Sequence, residues 1–396
     1  MKLRKPKYYD EFKCIGSDCQ DTCCAGWEIE IDEETAQRYQ DVTGELGERL
    51  RETITETEEE IYFNLQDGKR CPFLNKKNLC DLILGLGEDS LCDICREHPR
   101  HYQWFGEYTE VGLGLCCEEA GRLLFRSEAP LDFLLCEKED ESEESGQEDG
   151  EETAYIELLL SARETAFAIV QNRNLRMEDR WILLLQYGEE LQNALDADAF
   201  EELEQAAAIY RNQTAATSAW QQMLRICRQQ TEEDSSQKRM NDIIRQLSEL
   251  LEIYENLEAL DDTWPRQIKG LQEQLPDLIT QWAAFSKGYP RQVYEYEHFS
   301  VYLLYRYFME ALFDGDVLGK IKFLVMSVLI VRLMDIDCYQ KGMAFSQWNR
   351  IQITKQYSKE IEYCTENMET LGELCWQKAC MSTESLIEML KIFDTD

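Results

Sequence analysis

A chain of 396 residues with 44% hydrophobic content can bury more than one core, and at ~150 residues per domain it is expected to fold as two. Its 78 acidic residues against 41 basic ones give a formal charge of -37, which argues against a nucleic-acid partner, because phosphate binding draws on clustered Lys and Arg. The longest apolar run, residues 323–331 between Lys322 and Arg332, is far short of the ~20 residues that span a bilayer, so it reads as a buried helix and no membrane role is expected.

In chain order, the segment Met1 to Lys7 is charged and has neither an apolar stretch nor a cleavage site, which points to a cytoplasmic, reducing setting. Next come the cysteines: eleven of the 16 lie between Cys14 and Cys136, several in tight knots. In a reducing compartment, thiols two to five residues apart converge on a soft metal or an iron–sulfur cluster more readily than they form disulfides. The set comprises Cys14, Cys19, Cys23 and Cys24, then Cys71 and Cys80, Cys92 and Cys95, and Cys116 with Cys117. That exceeds the four ligands of one tetrahedral zinc. Either two metal sites share the region, or a four-iron cluster takes four thiols and the remainder serve structure or redox chemistry; spacing does not choose between them.

Familiar alternatives fit poorly. Only Cys92 and Cys95 make a true CxxC, so a zinc ribbon is weakly indicated, and the third position of a radical C-x3-C-x2-C motif would fall on Gly26. Gly85 and Gly87 lack a following amphipathic helix and read as a turn that brings Cys80 near Cys92. His98 and His101 can substitute for a thiolate, although the packed reading is favoured with so many cysteines nearby. Residues 27–31 alternate in polarity and are expected to pair with residues 60–65 in a small hairpin or sheet.

Residues 137–153 form an acidic stretch whose composition is that of a flexible linker. Beyond it, apolar residues recur at helical spacing, as in Ile243, Ile244, Leu247, Leu250, Leu251 and Tyr254. Thr263 and Pro265 mark a helix start, and Gly288 and Pro290 a helix end. The aromatic run from Tyr294 to Phe308, His298 within it, and the late cysteines Cys227, Cys338, Cys364, Cys375 and Cys380 read as packed helix residues. The expected fold is therefore mostly α: a cysteine-rich, metal- or Fe–S-organised α+β domain over 1–136, the acidic linker over 137–153, and an all-α domain over 154–396.

The segment from Phe12 to Trp27, with Cys14, Cys19, Cys23 and Cys24, followed by Cys71-Pro72-Phe73-Leu74, Leu91-Cys92-x2-Cys95 and His98-Pro99-Arg100, resembles flagellin lysine-N-methylase, within the wider group of zinc- or iron-chelating cysteine-cluster proteins. The resemblance covers residues 8 to 125. It implies S-adenosylmethionine-dependent N-methylation of flagellin surface lysines, with a 4Fe-4S cluster on the N-terminal cysteines and zinc as the alternative metal. By position it gives the ligand role to Cys14, Cys19, Cys23, Cys24, Cys71, Cys80, Cys92, Cys95 and Cys116. Where the family pattern expects Cys-Pro-Glu-Ala, this chain has Cys116-Cys117-Glu118-Glu119-Ala120, which leaves Cys117 without an assigned part. Asp21, Glu28, Asp93 and Glu110 are carboxylates able to receive a lysine proton, and Trp27, Trp104, Phe105 and Tyr108 are aromatics able to face a sulfonium. The alternative is a non-catalytic zinc- or iron-binding module whose helical domain binds a protein partner.

Overall fold

The computed structural model describes residues 2–20, 22, 29–57, 60–66, 70–137, 150–211, 236–342 and 344–393. Cys23, Cys24, Trp27, Asp21, Glu28, Cys227 and most of the acidic stretch lie outside them. The chain is mostly helical, with two small sheets in the first 137 residues.

The larger sheet has four strands in the order β4-β5-β1-β6, where β1 is Lys2–Pro6, β4 Arg100–Phe105, β5 Tyr108–Leu113 and β6 Phe133–Glu137. β1 runs parallel to β5 and antiparallel to β6. Gly106, at φ +49°, makes the two-residue turn between β4 and β5, a conformation open to glycine at little steric cost. The sequence reading did not foresee this sheet. β5 is buried along its whole length, so it lacks the alternation of a half-exposed strand. The charges of β1 are paired: Lys2 with Glu107, Arg4 with Glu164, and Lys5 with Asp10.

The smaller sheet pairs β2 (Ile54–Glu56) with β3 (Ile61–Phe63). Ile31 N–H donates to Ile61 and Phe63 N–H to Ile29, so the expected pairing of residues 27–31 with 60–65 is present over its described part. This unit encloses its own core of Ile29, Ile31, Tyr39, Leu50, Phe63, Phe73 and Leu82, with Cys71 and Cys92 among the buried side chains.

The second, much larger core includes side chains from the four-stranded sheet as well as from the helices, among them Phe105, Tyr108 and Phe125. At its centre is the helix Val317–Gly342, buried from Val317 to Asp337 apart from Lys320, as expected of a segment apolar on all faces. Around it pack Met177–Asp196, Leu275–Gly288, Gln292–Tyr307, Gln347–Tyr357, Thr365–Gln377 and Thr383–Lys391. The helix over Thr263–Glu273 starts where Thr263 and Pro265 indicated, and the one ending at Gly288 stops before Pro290. Among the described residues no helix is long and apolar enough to cross a membrane.

The sheet is bonded directly to the helices. Arg163, fully buried on the helix Gly150–Val170, grips Glu110 of β5 through both carboxylate oxygens, with Nη1 to Oε2 at 2.6 Å. Tyr305 Oη donates to the carbonyls of Arg4 (2.9 Å) and Val111 (3.1 Å), and Phe133 stacks on Phe167 and Tyr305.

Candidate metal and methyl-transfer site

The short turns of the N-terminal region gather the described cysteines into two neighbouring groups. In the first, Leu74 bridges Cys80, the helix Asp81–Leu86 ends at Gly87 (φ +92°), and Cys92 opens the helix Asp93–Glu97. Asp32 caps two helices at once: its carboxylate accepts from Thr35 N–H (2.8 Å) and from Asp93 N–H (2.9 Å), which anchors the CxxC turn. Cys92 is buried in the same core as Tyr39, with Cys80 and Cys95 packed against it, and the Tyr39 hydroxyl donates to the Ser90 carbonyl at 2.8 Å. A bond from Cys95 draws the Cys92 thiol below its ordinary pKa, even though Cys92 is buried. Gly85 lies within the helix Asp81–Leu86 rather than in the expected turn, and only Gly87 ends it.

The second group is Cys14, Cys19, Cys116 and Cys117. Burial pushes the Cys19 thiol up to about 12, with Cys117, Glu118 and Cys14 adding to the rise and Lys355 opposing it. Burial also lifts Cys116 to about 12, opposed by a hydrogen bond from Tyr363. Cys117, to which sequence gave no part, is therefore a neighbour of both Cys14 and Cys19. His98 Nε2 lies 3.7 Å from Cys116 Sγ, and burial together with the Lys359 and Arg306 cations holds this imidazole near pKa 4. A cavity of about 440 Å³ is lined by Cys71, Cys80 and Cys95, by Cys14 of the second group, and by His98 and Arg100.

Helical residues that sequence reasoning did not single out close the far side of the second group. Lys355 pairs with Glu118 at 3.6 Å, Glu118 accepts from Gln20 N–H (3.3 Å) and Gln352 (3.3 Å), and Lys359 donates to the Thr22 carbonyl (3.2 Å). These side chains come from Gln347–Tyr357 and the π-helical turn Ser358–Glu362, and π turns are frequent at functional sites. No local motif marked them, because their proximity to the cysteines arises only on folding.

The other sequence candidates fall elsewhere. Glu110 is taken up by Arg163, and exposed Asp93 pairs with Arg96. Trp104 is exposed and stacks on Tyr102, while Phe105 and Tyr108 belong to the large core. Cys136 sits on β6 opposite Leu3. His101 presses its Nε2 against Gly112, and His298 is buried between the carbonyls of Leu124 (2.8 Å) and Ala129 (3.0 Å). Cys375 and Cys380 are buried as expected, whereas Cys338 and Cys364 are only half-buried, at the last turns of one helix and the N-cap of another. Among the described residues, the one set of three His, Cys, Asp or Glu ligand atoms all within 4.8 Å of one another is Glu258, Cys364 and Glu366.

Residues 163–389, more than half of the chain, match the sequence model of the FliB lysine N-methylase C-terminal domain. The lysine-N-methylase of Salmonella typhimurium is 25% identical over 131 residues, 30% of this chain and 31% of that protein; the same figures hold for that of Salmonella choleraesuis. The flagellar biosynthetic protein FliU of Salmonella muenchen is 27% identical over 131 residues, 30% of this chain and 74% of that protein. The match thus spans about a third of the length of the two lysine-N-methylases. No solved structure matches.

Proposed function

The chain belongs to the FliB lysine N-methylase family, and we propose that it is a protein-lysine N-methyltransferase that takes its methyl group from S-adenosylmethionine, acts on surface lysines of flagellin, and carries an iron–sulfur cluster on its N-terminal cysteines. The observation that carries this reading is the gathering of Cys14, Cys71, Cys80 and Cys95, from three separate cysteine motifs, around one cavity, in a chain whose helical region matches the family model.

The donor set fits such a group. Thiolates are the usual ligands of iron–sulfur clusters. Four sulfurs around a single zinc, each about 2.3 Å from the metal, would stand roughly 3.8 Å apart. The cysteines here are more widely spread, since no three of the described ones meet within 4.8 Å, and a cluster of several irons spans a wider ligand shell. Cys71, Cys80, Cys92 and Cys95 would form one part of the holding set, and Cys14, Cys19 and Cys116 the other. When bound, such a cluster supplies iron able to anchor the amino and carboxylate groups of the cofactor, or an electron.

The chain's own residues account for the remainder of the reaction. A neutral lysine amine attacks the methyl carbon, the methyl–sulfur bond breaks, and the thioether product leaves with the electron pair. The amine must first lose its proton. Glu118, 6% exposed beside Cys19 and held by Gln20, Gln352 and Lys355, is the carboxylate we assign to receive it. The strongly acidic chain raises the local concentration of a lysine-bearing substrate.

Anaerobically purified protein should contain about four irons with matching sulfide, and should add methyl groups to flagellin lysines in the presence of S-adenosylmethionine, read by peptide mass spectrometry. Zinc alone, no cofactor binding and unmodified flagellin would overturn this reading and leave a non-catalytic module.

A further inference from the structure

Arg100, the last residue of the His98-Pro99-Arg100 motif, has no part in the chemistry assigned to the cysteines or to Glu118. It opens β4, where it stands in register with Leu113 of β5, and the Gly114 N–H donates to the preceding Pro99 carbonyl at 2.8 Å. Its backbone is therefore fixed by the sheet. Its guanidinium lies over the Phe12 ring, 5.2 Å from the centroid, and both side chains line the cavity that Cys14, Cys71, Cys80 and Cys95 also line.

The charge of this wall is opposite to that of the chain. The protein has 78 acidic residues against 41 basic ones, yet Lys13, Arg96 and Arg100 line the cavity against the single carboxylate of Glu88. Arg96 is taken by Asp93 and, at 3.6 Å, by Glu97. Arg100 makes no ion pair among the described residues, and its guanidinium has there only a long hydrogen bond, from Nη1 to the Arg96 carbonyl at 3.4 Å. Lys13 is exposed and pairs with no carboxylate among the described residues. A guanidinium presents a planar fork of N–H donors that matches a carboxylate, and most of the donors of Arg100 remain available to one. The apolar side chains of Phe12, Ile29, Phe63 and Leu82 on the same walls lower the local dielectric, which strengthens a charge-assisted bond. A volume of about 440 Å³ falls within the range of small-molecule sites.

We propose that this cavity binds the carboxylate of the cofactor's methionine portion, with the Arg100 guanidinium as its main anchor and Lys13 as a second cation. This rests on the reading of S-adenosylmethionine as the methyl donor. A carboxylate has two oxygens and about four lone-pair sites, so it can accept from a guanidinium and still reach a metal. Phe12 beneath the guanidinium and β4 behind it hold the fork in place before the ligand arrives, which lowers the ordering cost of binding.

The test is calorimetry on the anaerobically purified full chain, titrated with S-adenosylmethionine and with its decarboxylated analogue. Wild type, Arg100→Met, Arg100→Lys and Lys13→Ala are compared, with metal content and melting temperature read on each. The wild type should bind S-adenosylmethionine roughly 10- to 100-fold more tightly than the analogue, the range of a charge-assisted hydrogen bond. Arg100→Met should lose that preference by weakening S-adenosylmethionine alone, with metal content unchanged. Arg100→Lys, which keeps the charge but not the fork, and Lys13→Ala should each lose part of it. A wild type that binds both ligands equally overturns the proposal and leaves the methyl-donor reading intact, as does an Arg100→Met protein that keeps the full preference. Equal weakening of both ligands together with loss of metal overturns it too, and assigns Arg100 to the metal site. Should Arg100→Met fail to fold, the wild-type preference and its partial loss in Arg100→Lys decide. A wild type that binds neither ligand overturns both readings.

Discussion

The two cores of this protein are stabilised in different ways. The helical core contains scores of apolar side chains around the helix Val317–Gly342, and its buried charges find partners within it: Arg350 Nη1 lies 2.5 Å from Asp335, Arg332 lies 2.9 Å from Glu178 within a box of Trp181, Trp282, Tyr296 and Phe393, and Arg180 lies 2.8 Å from Glu297. The core around Phe63 and Phe73 has a dozen buried side chains, two of them cysteines. A unit that small seldom holds together by burial alone and usually relies on a metal or cross-link. The difference shows where an extra source of stability is needed, and the thiols are concentrated in that place.

The largest effect should come from removing the proposed metal. Chelation of the anaerobic protein, or Cys92→Ser, should cost the small core several kcal/mol, because metal binding and folding are coupled in such units. Limited proteolysis should then cut within residues 29–95 while the helical core stays protected. Equal protection of both regions would erase the contrast drawn above.

Next in size is the join between sheet and helices. Arg163→Met leaves buried Glu110 with only the more distant Arg4, 3.9 Å away, and should cost about 3–5 kcal/mol in denaturant unfolding. The double variant Arg163→Met with Glu110→Leu should recover much of that loss, since replacing both charges removes the desolvation penalty. A double variant as unstable as the single one would show that the pair contributes more than charge compensation.

A smaller effect depends on pH. Burial and the Arg306 cation hold His101 well below its ordinary pKa, so the folded protein keeps it neutral while the unfolded chain protonates near 6.5. Its contribution is present above that pH and is lost as pH falls, at up to ~1.4 kcal/mol per unit. Melting curves from pH 8 to 5 should slope downward toward acid, and His101→Gln should flatten the slope. An unaltered slope would assign the acid sensitivity to other groups.

The smallest effect is expected at exposed Trp104. Trp104→Ala should change stability by less than about 0.5 kcal/mol and leave S-adenosylmethionine binding intact, as measured by calorimetry. Weakened cofactor binding would return this aromatic to the site.

Much of the helical half was legible because a buried helix announces itself by an apolar run and its ends by Pro and Gly, as at Gly288 and Pro290. The four-stranded sheet was not, because β5 is buried on both faces and β1 hides its role behind charges whose partners lie more than a hundred residues away or across a turn. Sequence by itself determined which thiols are available, since spacing and residue type are local properties. Only the tertiary structure decided that Cys117 joins Cys14 and Cys19, that Glu110 is spent on Arg163, and that Lys355 and Lys359 reach Glu118 and the Thr22 carbonyl more than two hundred residues earlier. Such contacts are set by how the π turn and the sheet dock on one another, and no short-range pattern records the packing of surfaces so distant in the chain.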